Sequence, residues 1–442
     1  MIPIMPLSRP MKARSLGQRG RWLLLLASAG SACTLPNAAP APTPVADSVA
    51  VPVPGPPSPR LPTVVALVPA APASVGMDST LPVRLDSIVR AALAEGAAPG
   101  AALAVGRHGR VIYLKGHGTL DYAPGAPPVE PTTLYDLASL TKVVATTTSA
   151  MILEETGRLD LNRTVASYVP ELNAPDKQAI TVRMLLTHSG GLEAYAPLYH
   201  LARGKAEYLA QINARPLQYP PGTQTIYSDW DMVLLQAVIE RVSGMSLDNF
   251  ADGHLFRALG MSDTRFRPDT NDRALRRRIA PTTADSLRGG PLQGVVHDAN
   301  AWAMGGVSGH AGLFSTARDL ALFAQMLLDG GMLHDVRIIS PQQIARWTAR
   351  QSTLGSRALG WDTPAPASSA GRYFSPRSFG HTGFTGTSIW IDPERGLFVV
   401  LLMNRVNSRG EATRHVQFRR DVADAVQRAV LDAPLIDWES MR

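Results

Sequence analysis

Asp136-Leu137-Ala138-Ser139-Leu140-Thr141-Lys142 ends an extended segment and opens a long apolar run, Val143 to about Gly157, that reads as a helix. A serine and a lysine three apart fall on one face of a helix. In the first turn the serine sits in the positive field of unpaired backbone N–H groups. That field stabilises an alkoxide and, later, an acyl oxyanion. The lysine one turn on can take the serine proton if burial or a like charge lowers its pKa. Ser139 is therefore the candidate nucleophile and Lys142 its partner. The chain has five lysines against 38 arginines, so this pairing is more informative here than in a lysine-rich protein.

Around this stretch lie 442 residues, 45% hydrophobic and 18% charged. That is enough for a sizeable core and one or two domains. The net charge of +7 invites a nucleic-acid reading. Its distribution opposes one, because Arg9, Lys12, Arg14, Arg19 and Arg21 precede any acid and leave only +2 for the rest. No basic stripe survives to track a phosphate backbone. The one cysteine, Cys33, excludes an internal disulfide and cysteine-rich metal sites.

Residues 1–33 read as an export signal. A basic stretch precedes Trp22-Leu23-Leu24-Leu25-Leu26-Ala27, which is too short to span a bilayer. Small residues then lead to Cys33, as in a bacterial lipoprotein signal, although Gly30 stands where leucine is usual. Two destinations follow: a soluble periplasmic form, or a lipoprotein anchored to a membrane through Cys33. Residues 34–77 hold 12 prolines among alanines, valines and serines and read as an extended, disordered spacer.

The folded domain is expected over 78–437. Leu85, Ile88, Val89, Ala92 and Leu93 mark a helix with one buried face. Gly100 to Arg107 and Val111 to Leu114 read as a hairpin turning at His108-Gly109. Helices and loops fill about 145 to 375, including Asp229 to Val242, ended by Gly244, and Ser315 to about Leu328. Thr387 to Ile391 and Leu397 to Met403 form a last hairpin, before a closing helix from Glu411 to Leu431. Leu397 to Met403 is continuously apolar, so both its faces should be covered. The pattern predicts an α/β (α+β) fold: one antiparallel sheet built from both chain ends, flanking helices and a mainly helical insert.

Two further motifs follow Ser139-Leu140-Thr141-Lys142. They are Tyr227-Ser228-Asp229, after the turn Pro220-Pro221-Gly222, and His381-Thr382-Gly383, at the start of the last hairpin. Each alone is bland: Tyr227 as a buried tyrosine, His381 as a turn histidine. Together, in this order and at element boundaries, they resemble the serine hydrolases of the class C β-lactamase and penicillin-binding-protein family. The resemblance spans about Ser79 to Leu431 and includes Leu185 to Leu192, Gly305 to Thr316 and His381 to Gly386.

The resemblance implies a β-lactamase-like fold and an acyl-enzyme on Ser139. Lys142 and Tyr227 would share the proton transfers, with either as the base. The backbone N–H groups of Ser139 and Phe384 would form the oxyanion hole. Asp229, His381, Thr382 and Gly383 would meet the substrate, and no metal or organic cofactor is called for. Two departures stand out. His381 replaces the lysine of β-lactamases in this class, so a fixed charge for a carboxylate is lost. Asp229 stands where asparagine is commoner, and is expected either to hold Lys142 or to cap the following helix.

His297, Asp298, Asn300 and His310 surround the glycine-rich 305–312 run. They read as a loop that shapes the cleft rim, with a metal pair or a proton relay as the alternative. His188 reads as structural. The function expected is an exported acyl-serine hydrolase acting on cell-wall peptides that end in D-alanine. An esterase for short acyl esters is the alternative within the same chemistry. A catalytically silent, lipid-tethered wall-binding protein is the alternative from another class.

Overall fold

The computed structural model describes residues 67–440, apart from 352–353, 366–367, 412 and 438–439. The expected export signal, Cys33 and most of the expected spacer lie outside the described residues.

Helix α1 (Leu81–Ala94) opens the domain, with Pro82 in its first turn, where the missing N–H costs nothing. Strands β1 (Gly100–Arg107) and β2 (Arg110–Gly118) follow as a hairpin. His108 and Gly109 make its turn at φ +50° and +75°. The last strands are β3 (Phe379–Thr382), β4 (Ser388–Asp392) and β5 (Leu397–Met403). All five pair in the order β3-β4-β5-β1-β2. The chain ends meet at the centre of the sheet, where β1 runs antiparallel to β5 from Ala101 opposite Met403 to Arg107 opposite Leu397.

Continuous apolar sequence in β1 and β5 follows from this position. Successive side chains point to opposite faces. Leu103, Val105, Leu397, Val399 and Leu401 pack against α1 and the closing helix α5 (Arg414–Arg428), through Leu85, Val89, Phe418, Val422 and Val426. Ala102, Ala104, Phe398, Val400 and Leu402 face the other way and join Leu320 and Phe323 of helix α4 (Ala317–Leu328). Both faces are buried, so neither can alternate with polar residues.

Between β2 and β3 the chain is mainly helical. Helix α2 (Thr148–Glu155) continues a π-helical turn at Lys142–Thr147. Helix α3 (Asp229–Ser243) ends at Gly244 with φ +71°. The expected regular helix from Val143 thus starts with a wide turn, an irregularity that collects at functional sites. A small sheet also appears here that the sequence did not announce. Its central strand, Leu313–Ser315, pairs with Tyr135–Asp136 and with Arg265–Phe266. Two- and three-residue strands carry too little periodicity to be read, and Ser315 belongs to this sheet instead of opening α4.

The spacer expected to run to residue 77 stops being a spacer at its end. Ala70 N–H donates to Val111 O, and Val111 N–H to Val68 O. Val75 and Met77 are buried. β2 is an edge strand with open hydrogen-bonding groups, and an extended segment can pair there while Pro69 needs no donor.

Candidate active site

Three segments converge on a cleft of about 990 Å³. They are the turn before α2, the turn before α3, and the end of β3. Ser139, Tyr227, Asp229, His381, Thr382, Gly383 and Phe384 all line it. Lys142 lies beneath, with no exposed surface.

Ser139 follows Ala138, a non-glycine residue held at φ +47°. Such a conformation persists only where the surroundings enforce it. Asp136 supplies the enforcement: its Oδ1 accepts the Ala138 N–H at 2.8 Å. Lys142 Nζ donates to Ser139 Oγ at 2.9 Å and to His310 O at 3.1 Å. It also pairs with Asp229 Oδ1 at 2.8 Å. Burial pushes the lysine pKa down, but Asp229, with Tyr227 behind it, outweighs burial and raises it. Lys142 is therefore held as an ammonium. Asp229 serves the lysine, and the cap of α3 is Ser228, whose Oγ accepts the Trp230 N–H.

Tyr227 sits between two cations. Lys142 Nζ is 4.9 Å from its ring centroid and the Arg357 guanidinium carbon 5.0 Å. His188 packs against the same ring at 4.6 Å, and His188 O accepts the Ile226 N–H. His188 Nδ1 lies 2.9 Å from Asp231 Oδ2. Burial pushes the histidine pKa well down and the aspartate pKa well up, so it opposes charge on either partner. This pair supports the 226–228 turn from behind, consistent with a structural His188.

His381 Nδ1 is 2.8 Å from Thr382 O, which fixes its proton on that nitrogen. Burial keeps the ring uncharged, its pKa well below the ordinary value. Next to it, Gly383 passes so close to the nucleophile turn that an added Cβ would lie 2.1 Å from Thr387 Oγ1 and 2.3 Å from Leu137 O. Only glycine permits that approach. Phe384 is 59% exposed. Its ring lies between His297, at 5.6 Å, and the Arg405 guanidinium, at 4.2 Å. Among the described residues, neither the Ser139 N–H nor the Phe384 N–H has an intramolecular acceptor. Two free backbone donors beside a serine hydroxyl can receive a developing oxyanion.

Asp136 ties these parts together and was not read as a site residue. Its Oδ2 accepts the His297 N–H at 2.6 Å and its carbonyl accepts Thr385 Oγ1–H at 2.7 Å. Thr387 Oγ1–H reaches Leu137 O at 2.9 Å. The turn bearing Ser139 is thus hydrogen-bonded to the turn bearing Phe384. Arg357 was also missed. It comes from a loop with no motif, and its guanidinium has no hydrogen-bond or carboxylate partner among the described residues.

Asp298 and His310 join the site as a pair. His310 Nε2 is 2.9 Å from Asp298 Oδ1, and the same oxygen accepts the Ala301 N–H. With Asp229 they offer ligand atoms within 4.8 Å of one another, a set that could hold a metal ion. Both acids already serve a cation or a donor: Asp229 pairs with the Lys142 ammonium, and Asp298 accepts the Ala301 N–H beside His310. The set fits hydrogen bonding to the protein itself, and His310 O positions Lys142.

The chain matches the Beta-lactamase family over residues 85–424. A protein of Salmonella agona, whose name proposes a D-alanyl-D-alanine carboxypeptidase, is 33% identical over 373 residues, covering 77% of this chain and 86% of the relative. A Salmonella newport protein of the same name matches equally. Among solved structures, the hydrolase EstCE1, described as having promiscuous acyltransferase activity, superposes with a TM-score of 0.65 at 23% identity, over 79% of this chain and 98% of its own. A β-lactamase/D-alanine carboxypeptidase from Pseudomonas syringae gives 0.64 at 21% identity, over 78% and 99%. The matched span runs from α1 into α5 and contains every cleft residue described above: the chain belongs to the Beta-lactamase family and is a serine hydrolase.

Proposed function

We propose that this enzyme is a carboxypeptidase that removes the terminal D-alanine from cell-wall peptides through an acyl-serine at Ser139. The observation that carries this reading is Arg357. A substrate ending in a free carboxylate needs a fixed positive charge in the cleft. His381 is uncharged, but Arg357 lies over Tyr227 with no competing carboxylate among the described residues. A planar guanidinium is well suited to a carboxylate. The names of the Salmonella relatives agree. Export through residues 1–33, with or without an anchor at Cys33, would deliver the enzyme to such a substrate.

In this mechanism Ser139 Oγ attacks the penultimate carbonyl carbon. Its proton passes to the coupled Lys142–Tyr227 pair. An ammonium has no lone pair to accept it, so the base in this mechanism is Tyr227 as its phenolate, which becomes the phenol as Ser139 Oγ bonds to carbon, with Lys142 and Arg357 offsetting the phenolate charge. The Ser139 and Phe384 N–H groups receive the oxyanion, each worth about 10²–10³-fold in rate. The carbon–nitrogen bond breaks and the departing D-alanine amine collects the proton. Water then attacks the acyl-serine by the reverse path and frees Ser139.

One observation favours a second reading. The position taken by a charged lysine in β-lactamases is an uncharged imidazole here, and an ester substrate has no carboxylate to bind. The fold likeness to EstCE1 is compatible with that. The test is to offer purified enzyme a muramyl peptide ending in D-Ala-D-Ala and, separately, a nitrophenyl ester. Release of D-alanine supports the carboxypeptidase. Fast ester turnover with no D-alanine released assigns the enzyme to the esterases.

A further inference from the structure

We infer that Arg419 is a positioning residue of the oxyanion hole, polarising the peptide group that carries the Phe384 N–H. The inference rests on the acyl-serine reading above and adds to it the source of the donor's strength.

Arg419 lies on α5, outside every motif, and is 7% exposed. Its Nη2 donates to Gly383 O at 2.7 Å and to Thr387 O at 2.8 Å, and its Nε to Gly386 O at 3.2 Å. No carboxylate pairs with it among the described residues. Burial, and then the neighbouring Arg405, push its pKa down, so the fold works against its charge. A buried guanidinium whose hydrogen bonds all go to backbone carbonyls is costly, even at the edge of the cleft it helps to line, and a neutral donor would brace the same turn with less penalty. The charge therefore calls for a role.

The geometry supplies one. Gly383 C=O and Phe384 N–H are the two ends of one peptide group. A cationic donor on the carbonyl oxygen draws electron density from the amide nitrogen and makes its N–H a stronger donor. That N–H is one of the two free donors beside Ser139. Arg405 Nε donates to Phe384 O at 2.5 Å and holds the next peptide in place. When negative charge develops on the substrate oxygen, it meets a donor already biased toward it, with an uncompensated positive charge behind the turn.

The carbonyl stretch of the trapped acyl-enzyme tests this, because a polarised ester carbonyl vibrates at lower frequency. Wild-type enzyme, Arg419→Lys and Arg419→Met are acylated with a slow ester and compared by infrared difference spectroscopy. Each variant's folding is checked by its thermal transition, with Arg419→Gln replacing Arg419→Met should the latter not fold. The expected result is a band shifted up in the neutral variant and largely restored in Arg419→Lys, which keeps the charge and one donor. In parallel, kcat falls about 10-fold or more in the neutral variant with KM nearly constant, less than loss of a whole donor. A band that is the same in wild type and the neutral variant overturns the inference. So does a lysine variant that behaves like the neutral one, because only the three-carbonyl brace would then matter. Failure of wild-type enzyme to form any acyl-enzyme overturns the acyl-serine reading, and this inference with it.

Discussion

Asp229 Oδ1 lies 2.8 Å from Lys142 Nζ, and this contact reverses the effect of burial on the lysine. Without it, desolvation would drive Lys142 toward the neutral amine. Asp229→Asn is therefore expected to lower the Lys142 pKa and to change the pH profile of acylation. The chain has only five lysines, so side-chain nitrogen NMR can follow each ammonium through a titration. A Lys142 resonance that titrates identically in Asp229→Asn and wild type would contradict the pairing.

Asp136 makes a prediction about stability. Its carboxyl is fully buried, and burial first, then nearby Asp298, raises its pKa to about 6 against the two N–H groups that lower it. The folded state thus holds this proton more tightly than the unfolded chain does. The group's contribution to stability is greatest below about pH 4, declines as pH rises to about 6, and then levels, a loss of at most ~3 kcal/mol. Asp136→Asn cannot titrate. The thermal midpoints of variant and wild type should converge as pH rises from 4 to 6. Parallel curves would show that the carboxyl does not titrate in that range.

That same variant should fail as a catalyst. The amide can accept one of the two N–H groups but must turn a donor toward the other. The Ala138 turn or the His297 contact then loosens, and Ser139 shifts relative to Phe384. Turnover is expected to fall about 10²-fold, in keeping with a misplaced oxyanion donor. Unchanged turnover with a lowered thermal midpoint would leave Asp136 a purely structural residue.

The division between what the sequence disclosed and what it concealed follows the length scale of each signal. β5 was legible because seven consecutive apolar residues follow the turn Asp392 to Gly396 and have the length of a strand covered on both sides. Ser139, Lys142, Tyr227 and His381 were legible because their neighbours in sequence define the element boundaries they occupy. Asp136 stood inside the decisive stretch, yet nothing local says that a carboxylate there will face the N–H of His297, far along the chain. Arg357 and Arg419 were hidden for a related reason. The chain has 38 arginines, and only tertiary packing separates the few that face the cleft from the many that face water. The end of the spacer was misjudged because proline content describes a chain's intrinsic preference, whereas an open strand edge such as β2 offers extended chain a partner.

Arg357 should separate substrates by their charge. Arg357→Gln keeps a polar side chain and removes the fixed cation. A hydrogen bond to a charged group is worth about 1.5–3 kcal/mol, so kcat/KM for a peptide ending in D-Ala-D-Ala should fall about 10–100-fold. Most of that loss should appear in KM. Hydrolysis of a neutral nitrophenyl ester should change far less. Equal losses on both substrates would move Arg357 from carboxylate binding to support of the Tyr227 ring.

Gly383 offers the most direct test of how the two halves of the oxyanion hole are joined. A methyl group there would lie 2.1 Å from Thr387 Oγ1 and 2.3 Å from Leu137 O. Those two atoms are hydrogen-bonded to each other, so neither can withdraw without breaking the tie between the turns. Gly383→Ala must therefore push β3 and its turn away from Ser139. Overpacking of this kind costs about 1–3 kcal/mol of stability. The larger effect should be on turnover, because the Phe384 N–H moves off the oxyanion position while substrate binding at Arg357 is preserved. Adding Thr387→Ala removes one of the two clashes but leaves Leu137 O, so the double variant should recover part of the stability and little of the turnover. Full activity in Gly383→Ala would mean that the close approach of the two turns is not what sets the donors.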